Sequence, residues 1–342
     1  MIYGMCIGFL LNGHRVTLAA SAEYKPMVAE EYDFEILFFK SALTRFFPPG
    51  ALPLSFDFYR FIKANHRQYD LIISGEVFSF MSLFAAMQCP AKTAIWQEMA
   101  IHQRKFKRLP SKFWHRVMAP LFFRKVKVVI PRSEKARLFI NKYMRQVSDD
   151  YVDHGINISN FEYAKEKKRQ FISSSRLIYR KNIESILEIF SRFIQTKGYE
   201  DFQLLIAGEG DRRAFYEAEV VRLNLQQNVS FLGFLKHKEL NNRIKESSAF
   251  LINTRWDNNL LSIPEAIVSG TPVVTNLNPN MAEQVAKFQL GIAKNDWDES
   301  DLIETIQNSS FYIDNCVNYR EKQSNRYCAA RIVEIFTYFC QK

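Results

Sequence analysis

From Phe171 to Leu277, short runs that are apolar throughout alternate with segments of helical period. "QFISSS", "FQLLIAG", "NVSFLGF", "AFLINT" and "PVVTNL" read as strands, and "NIESILEIFSRFI", "DRRAFYEAEVVRLNL", "HKELNNRIKESS" and "IPEAIVSG" as the helices between them. In the first of these helices Ile183, Ile186, Leu187, Phe190, Phe193 and Ile194 share one face, with Asn182 placed as its N-cap. A strand without a polar face must be covered on both sides. This alternation therefore predicts a parallel, doubly wound sheet with helices on either face.

The N-terminal half repeats the pattern more loosely. Its strands are "RVTLAAS", "FEILFF", "DLIISG", "KTAIWQ" and "KVVIP", with helices such as "SFDFYRFIKANH" and "SEKARLFINKYM" between them. At 342 residues two cores are expected. The polar stretch "DDYVDHGINISNFE" suggests domains over 1–152 and 153–318, with 319–342 a long amphipathic helix packing back toward the first domain. The chain opens on a helix leading into "NGHRV", whereas a doubly wound domain opens on a strand and a Gly-rich turn. The N-terminal domain is thus expected to lack its first strand.

A hydrophobic content of 47% with 24% charged residues belongs to a globular, soluble chain, and no apolar run approaches the roughly 18 residues of a membrane span. No basic n-region and small-residue cleavage site mark the start as a signal peptide. Cys6, Cys89, Cys316, Cys328 and Cys340 are scattered and lack a CxxC, which argues against disulfides or structural zinc and suits a reducing cytoplasm. A net charge of +10 calls for an anionic partner.

The segment "RWDNNLLSIPEAIVSGTPVV" runs from a strand end through a loop into a helix, where ligands sit in open parallel sheets. Ser262-Ile-Pro-Glu265 has the form of a capping box, with Gly270 as the residue that closes the helix. Free N–H groups over 258–263 would make an anion site. Asp257, seven residues and one step before Glu265, completes an acidic-x7-Glu pattern similar to that of the retaining GT-B glycosyltransferases, family 4 (group 1) in particular. Upstream, "SSRLIYRKN" resembles the family's basic phosphate-binding motif, with Arg176 and Lys181. "LLIAGEGD" resembles its Gly-x-Gly turn at Gly208 and Gly210. "NVSFLGFL" resembles the segment flanking the nucleotide base, near Gly233 and Phe234, and "DHGINISNF" its interdomain segment.

The resemblance implies two Rossmann-like domains facing across a cleft and transfer of a sugar from a nucleotide-diphosphate donor. Arg176, Lys181 and Asp257 would be catalytic: the cations neutralise the departing diphosphate and Asp257 holds a sugar hydroxyl. Glu265 would bind the ribose, and Asn258, Asn259, Leu260, Leu261, Gly208, Gly233 and Phe234 would contact the donor. The nucleotide-sugar is a co-substrate, with no cofactor and no metal implied. On the acceptor side "IWQEMAIHQ" offers Glu98 and His102, and His14 matches a Gly-His that follows the family's first helix.

Between Arg104 and Lys127 lie nine Lys or Arg and no carboxylate, interleaved with Phe106, Phe113, Trp114, Leu121, Phe122 and Phe123. This basic aromatic belt reads as a contact for an anionic membrane surface, with Pro110 and Pro120 limiting it to one short helix over 111–119. No nucleic-acid motif accompanies it. The expected role is glycosyl transfer to a glycan or polyprenyl-linked acceptor in surface polysaccharide assembly, from the cytoplasm or the inner membrane face. A nucleotide-sugar 2-epimerase of the same fold and a non-catalytic donor-binding subunit are the competing readings.

Overall fold

The computed structural model describes residues 2–27, 31–103, 108–257 and 260–342. Two compact units form, one from Met1–Gly155 with Asn325–Lys342 and the other from Ile156–Ser324. The division falls three residues beyond the expected 152/153 boundary.

In the first unit helix α1 (Ile2–Leu11) leads into strand β1 (Thr17–Ser21), which pairs in parallel with β2 (Glu35–Phe39). Helix α2 (Phe56–Asn65), capped by Ser55, leads to β3 (Ile72–Gly75), and α3 (Phe80–Gln88) to β4 (Thr93–Gln97). Helices α4 (Leu109–Phe113) and α5 (Ala119–Phe122) precede β5 (Val128–Pro131) and α6 (Glu134–Ile140), which Ser133 caps. The sheet is in two pieces, β1–β2 and β3–β4–β5, rather than one doubly wound sheet. No strand precedes α1 among the described residues. β4 and β5 are buried throughout, whereas β1 and β3 are not.

The basic belt differs from its expectation. A π-type turn over Trp114–Met118, in which Ala119 N–H donates to the carbonyl of Trp114, joins α4 to α5. The prolines do not break this run. Pro110 and Pro120 each sit at the start of an α-segment, and the widened turn relieves the clash that a proline ring makes with the carbonyl four residues back. Trp114 and Phe123 are buried in the core with Val77, Ile95 and Phe139, so they are not surface aromatics. Arg104 to Lys107, Phe106 included, lie outside the described residues.

The second unit is a single sheet. Strand β6 (Lys168–Ser174) is followed by α7 (Ile183–Phe193), β7 (Gln203–Ala207), α8 (Arg213–Arg222) and β8 (Val229–Gly233). Next come α9 (His237–Glu246), β9 (Ser247–Ile252), α10 (Ser262–Val268) and β10 (Val273–Thr275). Then α11 (Ala282–Lys287), β11 (Gly291–Ala293), α12 (Glu299–Gln307) and α13 (Ser309–Tyr319) close the unit. The strand order is β11-β10-β9-β6-β7-β8, all parallel. All the expected face residues of α7 are buried except Ile194, which is partly so, against Phe171, Leu204 and Ile206 of the sheet.

The C-terminal segment is not one long helix. It breaks at Arg320–Gln323, where Ile156 N–H donates to Gln323 carbonyl and Arg320 donates to the carbonyls of Val268, Ile158 and Phe161. After this turn α14 (Asn325–Gln341) belongs to the first unit, packing on α1 and burying Ile332 and Ile335 beside Met5, Ala94 and Ile130.

Candidate active site

In the second unit the chain builds β6, β7 and β8 outward on one side, then returns to lay β9 on the other side of β6. The carboxyl ends of β6 and β9 therefore mark a topological switch point, the place where open parallel sheets bind ligands. The loop after β6 carries Arg176 and Lys181; the loop after β9 carries Asp257.

These loops are fastened to each other before any charge is considered. Arg255 N–H and Thr254 Oγ1 both donate to Arg180 carbonyl, at 2.9 Å each. The Arg255 guanidinium lies 4.0 Å from the centre of the Tyr179 ring and pairs with Glu184 at 3.0 Å. Thr254 carbonyl accepts from the side-chain amides of Asn276 and Asn278. On this scaffold Lys181 Nζ stands 2.5 Å from Asp257 Oδ2, both side chains being under 10% exposed. Arg180 Nη1 reaches Asp257 Oδ1 at 3.3 Å. Two cations thus face one carboxylate. Lys181 also lines a recess with Ser173, Ser174, Ser175, Leu260 and Ser262.

Gly208 and Gly210 have a specific steric purpose. A Cβ at Gly208 would stand 1.9 Å from Ser175 carbonyl oxygen, and one at Gly210 would stand 2.2 Å from that of Leu177. The Gly-x-Gly turn is therefore the seat of the Arg176 loop, joined to it by Leu177 N–H donating to Glu209 carbonyl. Gly208 N–H donates to Gly233 carbonyl at 2.7 Å, which links the end of β8 to the same turn. Arg176 is exposed, and Phe234 is 83% exposed.

Glu265 departs from its expected role in a capping box. The helix starts one residue earlier, with Leu261 at the N-cap and no side-chain cap, so Ser262 lies inside the first turn. Glu265 instead sits 3.4 Å from His237 Nε2 on α9. Burial raises its pKa, and the nearby His237 opposes that rise. The helix end agrees with the sequence: Gly270, at φ +67°, donates to Ile267 carbonyl, and Thr271 N–H donates to Ala266 carbonyl. Asn182 is the N-cap of α7, in the left-handed region, but makes no side-chain cap bond. Asn258 and Asn259 lie outside the described residues.

The first unit separates the two acceptor-side candidates. His102 is held by Ser111 Oγ and Tyr143 Oη, at 3.1 and 3.0 Å, in an aromatic cluster with His115 and Phe139. Burial and then the surrounding cations lower its pKa. Glu98 pairs with Arg132 at 2.6 Å, and Arg132 also holds Asp153 at 2.8 Å and lies over the Trp96 ring. Beside them is Glu76, at φ +66°, whose carboxylate accepts from Glu98 N–H and Met99 N–H. Desolvation pushes its pKa up to about 7. Arg180, His237, Glu76 and Arg132 escaped the sequence reading; only Arg180, inside "SSRLIYRKN", stood next to a recognised residue. Among the described residues no group of three or more His, Cys, Asp or Glu could hold a metal ion.

This architecture is that of the GT-B glycosyltransferases. Over 98% of this chain and 96% of the other, it superposes on Anabaena HepE, solved in complex with UDP, with a TM-score of 0.69 at 15% identity. WaaG, a glycosyltransferase involved in lipopolysaccharide biosynthesis, superposes over 98% of this chain and 95% of its own with a TM-score of 0.59 at 13% identity. Residues 156–322, nearly the whole of the second unit, match the family described as Glycosyl transferases group 1. An alpha-monoglucosyldiacylglycerol synthase of Streptococcus pneumoniae is 24% identical over 186 residues, 50% of this chain and 42% of that protein. A 2-deoxystreptamine N-acetyl-D-glucosaminyltransferase of Niallia circulans is 22% identical over 137 residues, 40% of this chain and 35% of that protein. The chain spans less than half the length of these curated relatives.

Proposed function

We propose that this protein is a metal-independent, retaining glycosyltransferase that moves a hexosyl group from a nucleotide-diphosphate donor to a glycan or polyprenyl-linked acceptor in surface polysaccharide assembly. The observation that carries the reading is the Lys181–Asp257 pair at the switch point, with Arg180 beside it. As the bond between the anomeric carbon and the phosphate oxygen opens, negative charge grows on the diphosphate. Lys181, buried beside the recess, and the exposed Arg176 neutralise it, and cations held in place before the reaction do so effectively. The leaving oxygen takes the proton of the attacking hydroxyl on the same face of the sugar, so configuration is retained. Asp257 is released from Lys181 by the incoming phosphate and accepts from a sugar hydroxyl. Glu265, held by His237, accepts from the ribose. A lipid-linked acceptor would place the enzyme at the cytoplasmic face of a membrane.

Incubation with a panel of uridine and guanosine diphosphate sugars tests this. A donor that raises the melting temperature of the wild type and yields an α-linked product is expected, with turnover falling about 10²–10³-fold in Arg176→Ala. Near-normal transfer in that variant, or formation of an epimer in place of a glycoside, would overturn it.

A further inference from the structure

The helical run from Leu109 to Phe122 has one face in the core and one in solvent, and the solvent face carries an apolar row. Leu109 is 64% exposed, Phe113 60%, Val117 45% and Leu121 64%. A polar helix surface was the ordinary expectation here, since Ser111, Trp114, His115 and Ala119 already supply the buried side. The four residues are spaced by fours. In an α-helix each such step overshoots a turn by about 0.4 residue, and the row winds around the helix. The π-type turn at Trp114–Met118 takes more residues per revolution, so the step from Phe113 to Val117 undershoots and offsets one of the overshoots. The four side chains therefore form one exposed ridge that winds only slightly, roughly 18 Å long from end to end.

Cations border this ridge. Arg108, Arg116, Arg124 and Lys125 are exposed and Lys112 is half-exposed, and none of the five forms an ion pair among the described residues. No Asp or Glu occurs between Glu98 and Glu134. Apolar side chains raised above a rim of unpaired cations match a surface that is hydrocarbon within and phosphate at its edge.

We infer that the ridge Leu109–Phe113–Val117–Leu121 docks the protein on an anionic lipid bilayer, its four side chains entering the acyl boundary and its five cations meeting lipid phosphates. Its purpose rests on the proposed lipid-linked acceptor, but the docking does not need the chemistry. The ridge also replaces the expected aromatic belt, since Trp114 and Phe123 face the core.

The test is co-sedimentation of the 342-residue protein with phosphatidylglycerol vesicles and with phosphatidylcholine vesicles. Binding to the anionic vesicles only, weakening with salt, is expected. Phe113→Asp/Leu121→Asp should abolish it, and Arg116→Gln/Arg124→Gln/Lys125→Gln should weaken it about 100-fold, at about fivefold per charge. In Phe113→Trp, vesicles should shift the indole emission to the blue. Circular dichroism and the donor-induced melting shift, both expected unchanged in the Asp variant, separate docking from folding and from the transferase reading. Equal vesicle binding by wild type and the Asp variant would overturn the inference. So would no vesicle binding at all, or a concentration-dependent dimer that the Asp variant dissolves.

Discussion

Removing the ammonium of Lys181 probes both its ion pair with Asp257 and its proposed place at the donor diphosphate. In Lys181→Met most of the stem volume is kept, but Asp257 Oδ2 loses its partner at 2.5 Å. Breaking a buried pair by removing one member costs about 3–5 kcal/mol, because the other charge stays desolvated. Here Arg180 remains 3.3 Å from the other carboxylate oxygen, so about 2 kcal/mol is expected. For a unit of this size that is a fall of roughly 4–8 °C in melting temperature. Independently of folding, kcat/KM should drop about 10²–10³-fold. The pairing is isolated by a double-mutant cycle with Asp257→Asn, read by urea unfolding, where a coupling energy of about 1–2 kcal/mol is expected. Steady-state kinetics on the folded fraction reads the catalytic part. A variant that melts like the wild type and turns over normally would refute both the ion pair and its place at the diphosphate.

Two further outcomes follow from particular contacts. Gly210→Ala should destabilise the second unit by about 1–3 kcal/mol and weaken donor binding, since its Cβ meets Leu177 carbonyl oxygen at 2.2 Å; urea denaturation and donor titration check this. Glu76, with its pKa raised to about 7, holds a proton in the folded state that it has lost in the unfolded chain. Its contribution is therefore full below about pH 4.5, where both states are protonated, and is lost as pH rises from there through 7. Glu76→Gln, which keeps an acceptor for Glu98 and Met99 N–H, should be more stable than wild type by about 3 kcal/mol at pH 8 and equal to it near pH 4. A pH series of thermal melts decides.

Much of the second unit was legible because its strands are apolar on both faces and its helices are amphipathic, so period alone separates them. The basic and acidic motifs also placed Lys181 and Asp257 in loops that do meet. What period could not supply was the break at Arg320–Gln323. That break depends on carbonyls from residues 158, 161 and 268 converging on one guanidinium, a long-range fact with no local mark. The capping box failed for a similar reason: Glu265 had a better partner on α9 than its own helix end. His102 and Glu98 lie four residues apart, yet tertiary packing drew one into an aromatic cluster and the other to Arg132. The belt's aromatics could not be sorted into inner and outer faces by a 3.6-residue rule, because a widened turn interrupts it.

Helix α14 completes the first unit, supplying Ile332, Ile335 and Phe336 to a core that also contains Met5 and Trp96. During synthesis the order of birth and the order of assembly must therefore differ. Residues 156–324 emerge as one uninterrupted piece and can settle while still tethered to the ribosome. The earlier-made N-terminal segment waits, with part of its interior uncovered, until residues 325–341 leave the exit tunnel.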